Sequence, residues 1–143
     1  MADSKTPHII EVRFTLPLAR DANAAWQRLV RDIDVWWPHD YRVIPGSRMT
    51  LEARPGGALL ESASGGDGVL WYSVQAALAG QWLVLAGHIA PPWGGPALSL
   101  LRFDLRSSAS GEVEIEVLDT LIGRADPAAI EAGWRAILGA FAA

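Results

Sequence analysis

The chain has 143 residues, half of them hydrophobic, so it can bury a core without metal or disulfide staples. It carries no cysteine, which excludes a disulfide framework, a thiolate nucleophile and any zinc site built on Cys ligands. Its formal charge of −4, with basic residues scattered singly, argues against nucleic acid as a partner.

The first seven residues, Met1 to Pro7, read as a polar leader without an apolar signal core, and no later stretch has the length and hydrophobicity to span a bilayer. The expectation is a cytoplasmic protein with a single domain over residues 1–143.

Ile10, Val12, Phe14 and Leu16 alternate with polar residues, the period of a half-buried strand, which Pro17 is expected to end. Asp21 is then the N-cap of a helix with an apolar face of Trp26, Leu29, Val30 and Ile33, ending before Trp36-Trp37-Pro38. From about residue 48 to 122 the chain reads as a meander. Met49, Leu51 and Ala53 alternate, and Pro55-Gly56-Gly57 turns the chain into a strand over Ala58 to Ser62.

After a second turn at residues 64–68 come strands over Val69 to Ala77 and Trp82 to Ile89, then a loop at residues 90–96. Ala97, Ser99, Leu101, Phe103 and Leu105 resume the alternation. In the last strand Val113, Ile115 and Val117 face one way, while Glu112, Glu114 and Glu116 face the solvent. Asp126-Pro127 opens a terminal helix whose apolar stripe is Ile130, Trp134, Ile137, Leu138 and Phe141. The sum is an α+β plan with one sheet face covered by that helix. A strongly bent sheet cannot touch a straight helix everywhere, so a cavity is expected between them.

The chain resembles the START-like (SRPBCC) superfamily and, within it, bacterial homologues of the activator of heat-shock protein 90 ATPase. The likeness rests on Trp26 with Trp36-Trp37-Pro38, on residues 51–57 followed by Glu61, on Gly68-Val69-Leu70-Trp71-Tyr72, on Gly94-Gly95-Pro96-Ala97 and on Gly133-Trp134. It implies a helix-grip (Bet v 1-like) fold, a curved antiparallel sheet of about seven strands wrapped around the long C-terminal helix, with a hydrophobic cavity. Where many relatives carry a histidine near the end of the last strand, this chain has Asp119.

Seven tryptophans are many for this length, and large flat rings suit the lining of an apolar pocket. Helical spacing assigns Trp26 to the core. Trp36, Trp37 and Trp93, in or beside loops, are candidates for the pocket or its entrance, and Ile130 and Trp134 for its lining. Trp71 and Tyr72 are adjacent in a strand, so at most one is expected to face the cavity. His88 and Asp119, each near the end of an apolar strand, are expected at the pocket mouth, where they fix a polar ligand end or pair as acid and base. Arg48 and Arg102 fall on the solvated side of their strands.

No Gly-x-Ser-x-Gly elbow, phosphate loop or metal-ligand spacing of His8, His39 and His88 occurs, so no metal or other cofactor is expected and binding is favoured over catalysis. The leading expectation is binding or carriage of a small hydrophobic or aromatic ligand, lipids included. The alternatives are a polyketide cyclase-like or hydratase-like enzyme using the same cavity and, last, a chaperone ATPase co-activator. A homodimer is left open.

Overall fold

In the computed structural model, which describes Thr6 and residues 8–143, seven antiparallel strands form one curved sheet in the order β1-β7-β6-β5-β4-β3-β2. The strands are β1 His8–Leu18, β2 Arg48–Leu51, β3 Ala58–Ser62, β4 Gly68–Leu78, β5 Trp82–Ile89, β6 Ala97–Ser107 and β7 Val113–Gly123. Helices α1 Ala22–Arg31, α2 Ile33–Trp36 and α3 Pro127–Ala142 complete the helix-grip architecture, with α3 across the concave face. The expected polar leader lies, apart from Thr6, outside the described residues.

The period-2 pattern becomes the core directly. Val12 and Phe14 on β1, Leu83 and Leu85 on β5, Leu101 and Phe103 on β6, and Ile115 and Val117 on β7 are buried in one core with Trp134, Ile137, Leu138 and Phe141 of α3. Asp21 caps α1 by accepting from Ala24 N at 2.8 Å, and Asp126 caps α3 from Ala128 N at 3.1 Å. At its other end α3 is closed from outside. The Arg28 guanidinium donates to the carbonyls of Phe141 (3.0 Å) and Ala140 (3.2 Å), satisfying acceptors a helix C-terminus leaves open.

Three local expectations are corrected. Pro17 does not end β1, which continues to Leu18; β1 is an edge strand, where a residue without an N–H is tolerated. The helix after Asp21 breaks at Asp32, so Trp36 lies within a separate short helix instead of beyond the helical segment. Glu116 is not a solvated residue like Glu112. It is buried on the outer sheet face, accepting from Arg13 (3.2 Å) and Arg106 (3.0 Å).

Candidate functional site

A cavity of about 390 Å³ lies between the concave sheet face and α3. Its inner, buried lining is Tyr72, Asp119, Trp134 and Ile137; α3 also contributes Ala129, Ile130 and Gly133, β4 contributes Trp71 and β5 Ile89. Around the mouth stand Tyr41, Val43, Leu70 and Trp93, all exposed, together with Asp40 and His88.

Both Trp71 and Tyr72 line the cavity, against the expectation that adjacent strand residues must diverge. The pairing of β3 with β4 passes from Leu59↔Tyr72 to Leu60↔Leu70, leaving Trp71 as the extra residue of a β-bulge. A bulge breaks the strict alternation and brings both rings to one side. Trp71 is then held by its Nε1, which donates to Glu61 Oε1 at 3.1 Å.

Glu61 is fully buried, and its carboxylate also accepts from Val43 N (3.0 Å), Ile44 N (2.7 Å) and Ser47 Oγ (2.8 Å). Burial pushes its pKa up, but the four hydrogen bonds outweigh this and hold it below its ordinary value. One carboxylate thereby fixes the loop that carries Tyr41 and Val43 to the mouth. Arg42 fixes the same loop from its other side. Its terminal nitrogens donate to Asp34 Oδ1 (3.0 Å) and to the carbonyls of Ser47 (2.8 Å), Asp34 (2.8 Å) and Trp37 (3.0 Å), and its buried Nε has no partner among the described residues. The Asp34 carboxyl lies below its usual range, chiefly through the hydrogen bond from Met49 N, with Arg42 contributing.

Trp36 and Trp37 do not line the cavity as expected. Both are core residues, tilted against each other at 5.8 Å between ring centroids. Trp37 backs the cavity wall, edge-on to Trp71 at 5.4 Å and to Trp134 at 6.4 Å. Trp134 is the hub of this aromatic set, also meeting Tyr72 at 6.0 Å and Phe103 at 5.9 Å. Trp93 and Ile130 stand where the sequence placed them, at the entrance and on the lining helix.

Asp119 is the polar centre. It does not stand at the mouth as expected, but at the inner end of the cavity, 1% exposed, in the inward row Ile115-Val117-Asp119-Leu121 of β7. Its Oδ1 accepts from Ser99 Oγ at 2.6 Å and its Oδ2 from Trp134 Nε1 at 3.0 Å. Ser99 Oγ also lies 2.7 Å from Tyr72 Oη. Burial raises the Asp119 pKa despite these two bonds, and burial followed by the nearby Asp119 charge raises that of Tyr72.

The Tyr72 ring reaches Ser99 across β5 through a gap that a glycine leaves. Gly87 is paired with Ser99, and a Cβ there would meet Tyr72 Cδ1 at 2.8 Å as well as the Trp71 carbonyl. His88 is exposed at the rim with no hydrogen bond among the described residues, so the structure does not join it to Asp119 as an acid/base pair. The sequence reading does not single out Ser99. A signal for it exists, since a serine in the inward row Ala97-Ser99-Leu101-Phe103 breaks an otherwise apolar face. Arg48 is exposed, and Arg102 pairs with Asp104 on the outer face, as expected. Among the described residues no group of three or more His, Cys, Asp or Glu side chains is placed to hold a metal ion.

No family model and no curated protein sequence matches this chain. Solved structures do. An uncharacterised protein from Rhizobium leguminosarum superposes with a TM-score of 0.70 at 13% identity, over 95% of this chain and 93% of that one. DynU16, a protein of the dynemicin biosynthetic locus, gives 0.61 at 17% identity, with 92% of this chain covered and 45% of the other. The anthrahydroquino-gamma-pyrone synthase Txn09 gives 0.53 at 16% identity, over 82% and 79%. At these identities the likeness is one of fold, the helix-grip fold.

Proposed function

We propose that this chain binds a small hydrophobic or aromatic molecule in the cavity between its sheet and C-terminal helix. The observation that carries this reading is the 390 Å³ space itself, walled by Trp71, Tyr72, Ile130, Trp134 and Ile137, with the buried carboxyl of Asp119 and the Tyr72 hydroxyl at its polar end. Burying about 200 Å² of apolar ligand there supplies roughly 5 kcal/mol before association costs, so a polar anchor at the inner end matters for affinity. Trp71, Trp93 and Trp134 line the space and report its filling. Titrating the protein with lipids, flavonoids and aromatic polyketides should quench tryptophan fluorescence saturably for at least one class. A flat response across the panel would overturn the reading.

A second reading is a cyclase-like or hydratase-like enzyme in the same cavity. It is supported by the buried Asp119 carboxyl in contact with Ser99, a pair able to hold and pass a proton, and by fold likeness to a synthase. Turnover of a polyketide-like substrate that is lost in Asp119→Asn is the expected result under this reading. The resemblance of its motifs to bacterial homologues of the heat-shock protein 90 activator supports a chaperone role least, and an ATPase stimulation assay tests it. The cellular location that accompanies all three readings is the cytoplasm. Among the described residues no helix is long and apolar enough to cross a membrane.

A further inference from the structure

The polar end of the cavity is a row of groups whose hydrogens can be counted. Trp134 Nε1 donates only, so Asp119 Oδ2, 3.0 Å away, is an acceptor in either protonation state of the carboxyl. Ser99 Oγ has one hydrogen and two neighbours, Asp119 Oδ1 and Tyr72 Oη. With Asp119 ionised, Oδ1 can only accept, so the serine hydrogen goes to it and the tyrosine hydrogen must go to the serine. Every hydrogen is then used within the wall. Tyr72 and Asp119 line the cavity, and what they offer it is lone pairs.

One proton on Asp119 Oδ1 reverses the row. Asp119 then donates to Ser99, Ser99 donates to Tyr72, and the tyrosine O–H is released toward the cavity. No heavy atom needs to move, because both bond lengths, 2.6 and 2.7 Å, suit either direction.

We propose that the Tyr72-Ser99-Asp119 row sets the polarity of the molecule the cavity takes. In the ionised form it selects an apolar, ring-bearing ligand whose buried end is a hydroxyl or amine donor and rejects ketones and carboxylates; with one proton added it selects a carbonyl acceptor. This rests on the cavity being a ligand site. The surrounding charges agree with it. Arg42, the guanidinium among the lining residues, has its terminal nitrogens engaged by Asp34 and by the carbonyls of Asp34, Trp37 and Ser47, so a ligand carboxylate near Asp119 gains no counter-ion. Around Asp119 itself β1 presents Val12, β6 presents Leu101 and Ser99, and α3 presents Trp134, none of which titrates in the working range. Apart from Arg42, the other titrating groups on the cavity are Tyr72, Tyr41, Asp40 and His88.

The test is calorimetric titration of the full chain with three probes sharing one ring, 2-naphthylmethanol, methyl 2-naphthyl ketone and 2-naphthoate, from about pH 4 to 9. At the alkaline end the alcohol should bind about tenfold tighter than the ketone, the equivalent of one hydrogen bond, and naphthoate weakest. That preference should shrink and then invert as pH falls. Asp119→Asn should prefer the ketone at every pH. The Trp134 N–H fixes the amide oxygen at the Oδ2 position, leaving the NH₂ to donate to Ser99 and so reproducing the protonated row. Tyr72→Phe lacks the O–H that the protonated row releases, so the inversion toward the ketone at acid pH should be lost.

The proposal is overturned if wild type prefers the ketone or naphthoate at the alkaline end, or if the preference is the same at all pH values. It is equally overturned if His88→Gln abolishes the pH dependence, which would assign it to the rim. Binding of all probes without discrimination removes this inference and leaves the cavity reading standing, while no binding by any probe removes both. The wild-type pH series decides the matter even if Asp119→Asn does not fold.

Discussion

Replacing Glu61 by glutamine keeps shape and volume while taking one acceptor oxygen from a buried site that four donors share. Val43 N and Trp71 Nε1 approach Oε1, and Ile44 N and Ser47 Oγ approach Oε2. An amide oxygen turned toward Ile44 leaves its NH₂ facing two N–H groups that cannot turn round. The opposite orientation is better, because the Ser47 hydroxyl can rotate to accept from the amide, and only Ile44 N–H is then stranded. One unpaired buried N–H costs about 1–3 kcal/mol, and the two retained bonds each weaken by about 1 kcal/mol when the charge is lost. The expected destabilisation is therefore about 3–5 kcal/mol, measured by equilibrium denaturation at pH 7. The pH dependence carries the same signature. Glu61 is held below its ordinary value of 4.5, so the stability it contributes is fully present above that pH and is lost as pH falls through the lower, folded value. Glu61→Gln should shrink this acid limb without abolishing it, since Asp34 is also held low. A loss under about 1 kcal/mol, with an unchanged acid limb, would refute the assignment of Glu61 as the loop anchor.

Asp119→Asn should have the opposite effect on the pH dependence of stability. Burial raises the folded pKa of Asp119 above 3.8, so wild-type stability falls as pH rises from that value through the folded one; the amide does not titrate, so this decline should be absent from the pH profile of Asp119→Asn measured by chemical denaturation, and an unchanged profile would contradict it. Gly139 is exposed within α3 with nothing within 4 Å of a built Cβ, and Gly139→Ala should raise stability by about 0.5–1 kcal/mol in thermal melts. Gly133 lines the cavity, where a Cβ would meet only Tyr41 Cε1 at 3.9 Å. Gly133→Leu should therefore fold normally and lower ligand affinity at least tenfold, and undiminished fluorescence quenching would place the ligand elsewhere. Gly87→Ala should cost about 1–3 kcal/mol and change the near-ultraviolet dichroism of Tyr72, because the added methyl meets its ring; unaltered spectra and stability would show that the gap is not needed.

The alternation in β1, β6 and β7 and the stripe on α3 determined by themselves which faces are buried, because a period of two or of 3.6 leaves only one way to hide the apolar side chains. The caps at Asp21 and Asp126 were equally legible, since capping is settled within a few residues. Those local rules also put Asp119 and Ser99 on the inward face of neighbouring strands. They could not bring Tyr72 to Ser99, 27 residues away, because that contact depends on a bulge at Trp71 and on the missing side chain of Gly87 in the strand between. Nor could they tell Trp36 and Trp37 from lining residues. Whether a tryptophan faces a void or the back of another ring is decided by how α2, α3 and the sheet converge, and only the tertiary structure sets that convergence.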